Sequence, residues 1–451
     1  PLEQIEPHIR RLWKARLTDR EIVQELQNCI DTTQYGIGLT KFVEIHNSLG
    51  LCRTRQQAHT PESIRAAMIE LRAMYPKAGA CEMVSLLFHE RNLSVARRVV
   101  CEYFAMFEPG LIQQRKASRL QWRHFWAAGV NYIWAVDQHD KWLRFSLALH
   151  TGIEPFSGRI LWMRVWHTNR NPQLILSYYI DTVWQLGFMP LVTQSDPCTE
   201  NFGIANAQTM LQQMHDPALS GFVQHRWMCK KKNIMPEIAW SQLRCRFTPG
   251  FEALLEQGVE AGWYDIDNTL QLMVFRWLFI LWLQQELDAY KDCVNNTQKR
   301  RDHNKVLPHG IPQLIHTSPE DYAALDFKVM VNPAALNDVH ELYIQSTHPV
   351  FNLVPTVLAN FIEDHYNLLN RPAVTRTSVW AVYRQLLGIL QQQVAMPPLL
   401  ASIKADFLDN SDEDVPLLLP GEDLPFHETG THYYMGGVGG GRGLHESAMI
   451  V

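Results

Sequence analysis

Near the N-terminus, apolar positions recur at helical spacing. Ile5, Ile9 and Leu12 share a face, and Thr18 with Glu21 three residues later opens a capped helix over Asp19–Gln27. After a break at Gly36–Gly38 the pattern resumes over Leu39–Leu49. Helix, capped helix, glycine break and helix outline a helix-turn-helix, followed by Arg53 and Arg55; an ordinary three-helix bundle has the same outline. Helical periodicity returns over Pro61–Tyr75, Ala80–Glu90 and Ser94–Phe107. From Tyr132 the texture changes to short β-branched and aromatic runs. Ile133–Asp137, Phe145–Ile153 and Arg159–Trp166 predict a three-stranded antiparallel meander, with Pro155–Gly158 as the turn between the last two. Pro172–Leu186 then reads as a helix, Leu191–Ser195 as a buried strand ending at Asp196, and Asn201–Met214 as a further helix. Another helix starts near Pro236, and a long one covers Thr269–Cys293. Residues 330–400 look helical, and a fifth strand near Gly221–Trp227 is only faintly marked.

Composition narrows the class. The chain has 451 residues, 46% of them hydrophobic and 19% charged, enough apolar surface for two or three cores and too much for a disordered chain. Its net charge of −5 is unevenly spread: from Ala405 to Val451 nine acids face one base, which leaves residues 1–404 at about +3. That tail, rich in acid, proline and glycine, is expected to lack a core of its own. The eight cysteines are scattered without a CxxC pair, so neither a disulfide framework nor a zinc knuckle is expected. The apolar run Leu270–Leu283 carries Arg276 and falls short of the ~20 residues a membrane span requires, so it reads as a buried helix.

Three carboxylates stand where chemistry is performed in α/β proteins: Asp137 in the first strand, Asp196 just past a parallel-type strand, and Glu237 opening a helix. Converging at one end of a sheet, such acids offer the hard oxygen ligands that two divalent cations need during displacement at phosphorus. Each also has a plainer role: closing a strand, forming a turn before Pro197, or complementing a helix N-terminus.

The residues around these acids resemble the integrase core domain of DDE transposases and retroelement integrases, with closest likeness to a eukaryotic integrase-like family. The segments carrying the resemblance are Gly129–Lys141, Phe156–Pro172, Ser195–Asn201 and Glu237–Arg244, in that order, followed by Gln285–Leu287, Asn295–Asn296 and Arg300–Pro308. The likeness spans roughly residues 79–325. It implies Asp137, Asp196 and Glu237, spaced 59 and 41 residues apart, as the catalytic, metal-binding triad for two Mg²⁺ or Mn²⁺ ions. The implied fold is α/β, an RNase H-like five-stranded mixed sheet flanked by helices.

The resulting organisation is a helix-turn-helix-like unit over 1–58, a second helical unit over 59–126, the core over 127–325, a helical extension over 326–404 and the acidic tail over 405–451. The implied function is that of a transposon-derived integrase that cleaves and joins double-stranded DNA, working as a homo-oligomer when two ends are synapsed, in the nucleus and away from membranes. Candidate DNA contacts are Arg115, Lys116, Arg119 and Arg123, Lys141, Lys230, Lys231 and Lys232, and Arg244. The chain departs from the family pattern at Cys198, Glu154-Pro155, Arg164 and Ile234-Met235. These departures leave two alternatives: a domesticated, catalytically inactive DNA-binding or scaffold protein retaining the fold, and a nuclease on the same fold.

Overall fold

Helix capping and apolar stripes build the N-terminal unit. The computed structural model describes residues 2–30, 36–76, 78–109, 124–228, 233–299, 307–394, 396–401, 427–429 and 432–434. Helices α1 (Leu2–Lys14), α2 (Asp19–Cys29) and α3 (Leu39–Ser48) enclose a small core that includes Ile9, Leu12, Ile22, Leu26 and Phe42. The predicted cap at Thr18 is present in both directions: the Glu21 amide donates to Thr18 Oγ1 at 3.3 Å, and the Thr18 amide donates to Glu21 Oε2 at 2.7 Å. Helices α4 (Arg65–Met74), α5 (Ala80–Arg91) and α6 (Arg97–Phe107) follow. They share a large core with the helices that follow the sheet, through Met68, Leu87 and Tyr103 on one side and Phe251 and Leu283 on the other.

The five predicted strands form one mixed sheet. They are β1 (Ile133–His139), β2 (Ala148–Glu154), β3 (Arg159–Trp166), β4 (Val192–Ser195) and β5 (His225–Trp227), arranged in the order β3-β2-β1-β4-β5. The meander β1-β2-β3 is antiparallel, while β4 and β5 run parallel to β1. Helices cover both faces, which is the RNase H-like architecture. Trp134 and Val136 of β1 pack under α7 (Pro172–Leu186) and α8 (Phe202–His215), whereas Leu149, Met163 and Val165 of β2 and β3 face the large helical core. The second strand begins later than its apolar run predicts. Leu143–Phe145 forms a single 3₁₀ turn and Ser146 takes a left-handed conformation at φ 59°, which interrupts any strand there.

Beyond the sheet come α9 (Ile234–Arg246), α10 (Thr248–Glu260) and the 27-residue α11 (Thr269–Asn295). The last of these protects the open edge of β3. Gln284 accepts from the Val165 amide and donates to Met163 O, both at 3.0 Å, and Asn295 makes the same pair of bonds to Ile160 at 2.8 Å. No described helix is long and apolar enough to cross a membrane. The extension adds α12 (Pro333–Tyr343), α13 (Thr356–Leu368) and α14 (Val379–Gln391). Within the acidic tail, His427–Thr429 pairs with His432–Tyr434, which in turn runs parallel to His124–Trp126. The rest of 405–451 lies outside the described residues.

Candidate active site

The ladder between β1 and β4 brings the first two acids together. Ile133 pairs with Val192, Trp134 with Thr193 and Ala135 with Gln194, a constant offset of 59 residues. Carried two residues further, the same offset sets Asp196 beside Asp137 at the C-terminal ends of neighbouring parallel strands, where open α/β sheets hold their ligands. Asp196 follows directly after β4 and is half-buried.

The third acid is carried by α9, whose first turn contains Pro236 and Glu237. The helix head is clamped to both strands by the buried Asn233. Its amide donates to Val136 O at 2.8 Å, and its Oδ1 accepts from Gln194 at 3.0 Å. One turn on, the Trp240 indole donates to Asp137 Oδ2 at 3.0 Å, and its ring stacks on His139 with centroids 4.9 Å apart and planes 16° from parallel.

The three acids feel one another electrostatically. Asp137 is pushed up to about 8, first by burial, then by the Asp196 carboxylate and to a smaller degree by Glu237; hydrogen bonds from the Gln138 backbone and Trp240 offset part of this. Asp196 is also raised, by burial and by Glu237. Its Oδ1 is buried and has no hydrogen-bond partner among the described residues. The Cys198 thiol is pushed up to about 11 by burial and by the carboxylates of Glu200, Asp196 and Asp137, so it stays protonated and is a poor nucleophile or metal ligand at neutral pH.

Mutual repulsion together with an orphaned buried carboxylate oxygen is the condition that a hard divalent cation relieves, so the donor chemistry fits Mg²⁺ or Mn²⁺. Nevertheless, no group of three or more His, Cys, Asp or Glu side chains among the described residues is already drawn together as a complete metal site. Glu237 is exposed at the helix head while Asp137 and Asp196 are partly sunk in the sheet.

Positive charge borders the acids. Lys141 and Arg244 are both exposed, and both depress His139, which burial has already lowered, to about 4. The imidazole stacked on Trp240 is therefore neutral at physiological pH, and two of the predicted phosphate contacts flank the site. Asp140 accepts from the Asn169 amide at 2.7 Å, tying the end of β1 to the segment before α7. Arg246 turns away to Glu82 of α5 at 3.0 Å. The remaining basic candidates, Arg115, Lys116, Arg119, Arg123, Lys230, Lys231 and Lys232, lie outside the described residues. Asn233, Gln194 and Trp240 were not singled out by sequence reasoning. Trp240 alone had a signal, its place three residues after Glu237 on the same helical face.

Residues 125–315 match the integrase core domain. The matched segment contains all five strands, the three acids and α9 through α11, so the integrase likeness covers the site and the helices that support it. No curated protein matches the chain.

Proposed function

We propose that this protein is a polynucleotidyl transferase of the integrase type, cutting and joining double-stranded DNA with Mg²⁺ or Mn²⁺ held by Asp137, Asp196 and Glu237. What supports this reading is that burial and neighbouring carboxylates raise both Asp137 and Asp196, around an Asp196 oxygen with no hydrogen-bond partner among the described residues. When bound, the cations would supply Lewis-acid activation of the attacking oxygen and charge stabilisation at the leaving one. The chain itself contributes the rest. Its carboxylates hold the ions, while Lys141 and Arg244 meet the phosphates on either side. A water or a DNA 3′-hydroxyl then attacks phosphorus as the P–O bond to a neighbouring 3′-oxygen breaks, and that oxygen leaves as a 3′-hydroxyl, with no covalent protein intermediate. Joining two DNA ends calls for more than one copy of the chain, and nuclear residence follows from the substrate; both belong to the same proposal.

The rival is a binding or scaffold protein that retains the integrase fold without turnover, favoured by the absence of a closed three-ligand cluster among the described residues. Calorimetric titration with Mn²⁺, beside a strand-transfer assay on oligonucleotide duplexes, separates the two. Metal-dependent heat and joined products, both lost in Asp137→Asn, support the enzyme. No heat at the acids leaves the binding protein.

A further inference from the structure

Buried tryptophans usually find an acceptor for the indole N–H, most often a neutral one. Among the described residues, Trp134 donates to Asn131 Oδ1 at 3.0 Å, Trp162 to His150 Nδ1 at 3.0 Å, the half-buried Trp166 to Val350 O at 2.8 Å, and Trp380 to Leu254 O at 2.8 Å, while the buried Nε1 atoms of Trp142 and Trp282 have no partner. Trp240, only 3% exposed, instead donates to a carboxylate, Asp137 Oδ2 at 3.0 Å. That carboxylate is the one already burdened by two neighbouring acids.

The position of the indole adds to the argument. Trp240 lies three residues after Glu237, so the two side chains share a face of α9 one turn apart. Its ring is held from the other side by His139, two residues after Asp137 on the same face of β1. The base of α9 is pinned to β1 and β4 through Asn233. One side chain thus connects the first acid's carboxyl group to the helix that carries the third.

We infer that Trp240 is a positioning residue for the cation site: its N–H fixes the rotation of the Asp137 carboxyl, and its ring sets the height of α9 so that Glu237 can join Asp137 and Asp196. The inference rests on the metal-dependent reading above and adds to it a residue that touches neither metal nor DNA. A carboxylate left free to rotate loses part of its affinity for an ion, because ordering it is then charged to binding.

The test uses the full chain with Mn²⁺ as probe, read by calorimetry and by ¹⁹F NMR of protein labelled with 5-fluorotryptophan. Trp240→Phe keeps an aromatic ring but removes the donor and part of the indole volume. It is expected to lower the thermal midpoint of the metal-free protein, to weaken Mn²⁺ binding about tenfold, and to cause no further loss of affinity in an Asp137→Asn background. A tryptophan that merely fills space would lower the midpoint and leave Mn²⁺ affinity as in the parent, which overturns the inference. Should Trp240→Phe fail to fold, the parent protein still decides. The ¹⁹F resonance that moves in Asp137→Asn must be one that Mn²⁺ broadens, and Mn²⁺ binding that leaves it sharp refutes the assignment. Parent protein that takes up no Mn²⁺ refutes the strand-transfer reading and this inference with it, whereas equal uptake by parent and Trp240→Phe refutes the inference alone.

Discussion

Two carboxyl groups on the same sheet, one buried and one half-buried, are both raised far above their ordinary range, and they mean opposite things. Glu154, fully buried at the end of β2, is pushed up to about 7 by burial alone, and its other neighbours all work against the shift. Its oxygens accept from the Phe156 amide at 2.9 Å and from the Ser157 amide and hydroxyl at 2.8 and 2.5 Å. This is a carboxyl group satisfied by its own hairpin, at one of the positions where the chain departs from the family pattern. Asp137, at about 8, has burial and two other carboxylates acting together against a few hydrogen bonds. A raised value by itself therefore does not mark a site. Burial is the first cause at both; what differs is the neighbours, since the hydrogen-bond donors around Glu154 work against its shift while the Asp196 and Glu237 carboxylates add to that of Asp137.

The largest effect that would break this comparison lies in activity. Asp137→Asn should reduce metal-dependent strand transfer by about a hundredfold or more, the loss expected when several kcal/mol of charge stabilisation is removed. Glu154→Gln should leave the chemistry per folded molecule intact. Joined product on an oligonucleotide substrate is the measurement, and equal losses in both variants would erase the distinction.

Stability should respond in the opposite sense. Glu154→Gln sets an amide N–H₂ against donors in a closed turn and should cost about 1–3 kcal/mol in denaturant unfolding. Asp137 is raised from 3.8 to about 8 in the folded protein, so the parent loses stability as the pH rises from 4 to 8; the metal-free Asp137→Asn variant should gain on it across that range, be already more stable at pH 7 and hold the gain above pH 8. Mn²⁺ should raise the thermal midpoint of the parent and not of Asp137→Asn.

pH sharpens the same contrast. Because the folded-state value of Glu154 is raised from 4.5 to about 7, the folded protein holds this proton more tightly than the unfolded chain does. Its contribution to stability is full below pH 4.5 and is lost as the pH rises through 7. The destabilisation caused by Glu154→Gln should accordingly be greatest at pH 4–5 and shrink toward pH 8, as read from thermal midpoints across that range. The smallest expected effect concerns the basic border. Lys141→Ala and Arg244→Ala should each weaken DNA binding across all sequences alike and reduce the salt slope by about one, as removal of a single phosphate contact does.

Much of the fold was legible because it is written in local periodicity. The meander, the cap at Thr18 and the long apolar helix all follow from spacing, and the 59-residue interval between the aspartates is the register offset of β1 and β4. Local pattern fails where the backbone departs from it. Phe145–Leu147 is as apolar as a strand, yet the left-handed Ser146 makes it a turn. The three-residue β5 is too short to show a period, and its burial comes from pairing with β4. The second helical unit reads as separate along the chain, while α4–α6 bury their apolar faces in the same core as α10 and α11.

By itself the sequence determined which segments are helix and strand, which three acids stand at their ends, and the order in which those ends occur. Residue type and spacing act within a turn or a strand, and that is as far as they reach. Only the tertiary structure decided that Trp240 donates to Asp137, that Asn233 ties α9 to two strands, and that Lys141 and Arg244 border the acids while Arg246 turns to Glu82. Such contacts join residues some forty to 160 positions apart, and their strength depends on shared burial, which removes the water that would otherwise screen one charge from another.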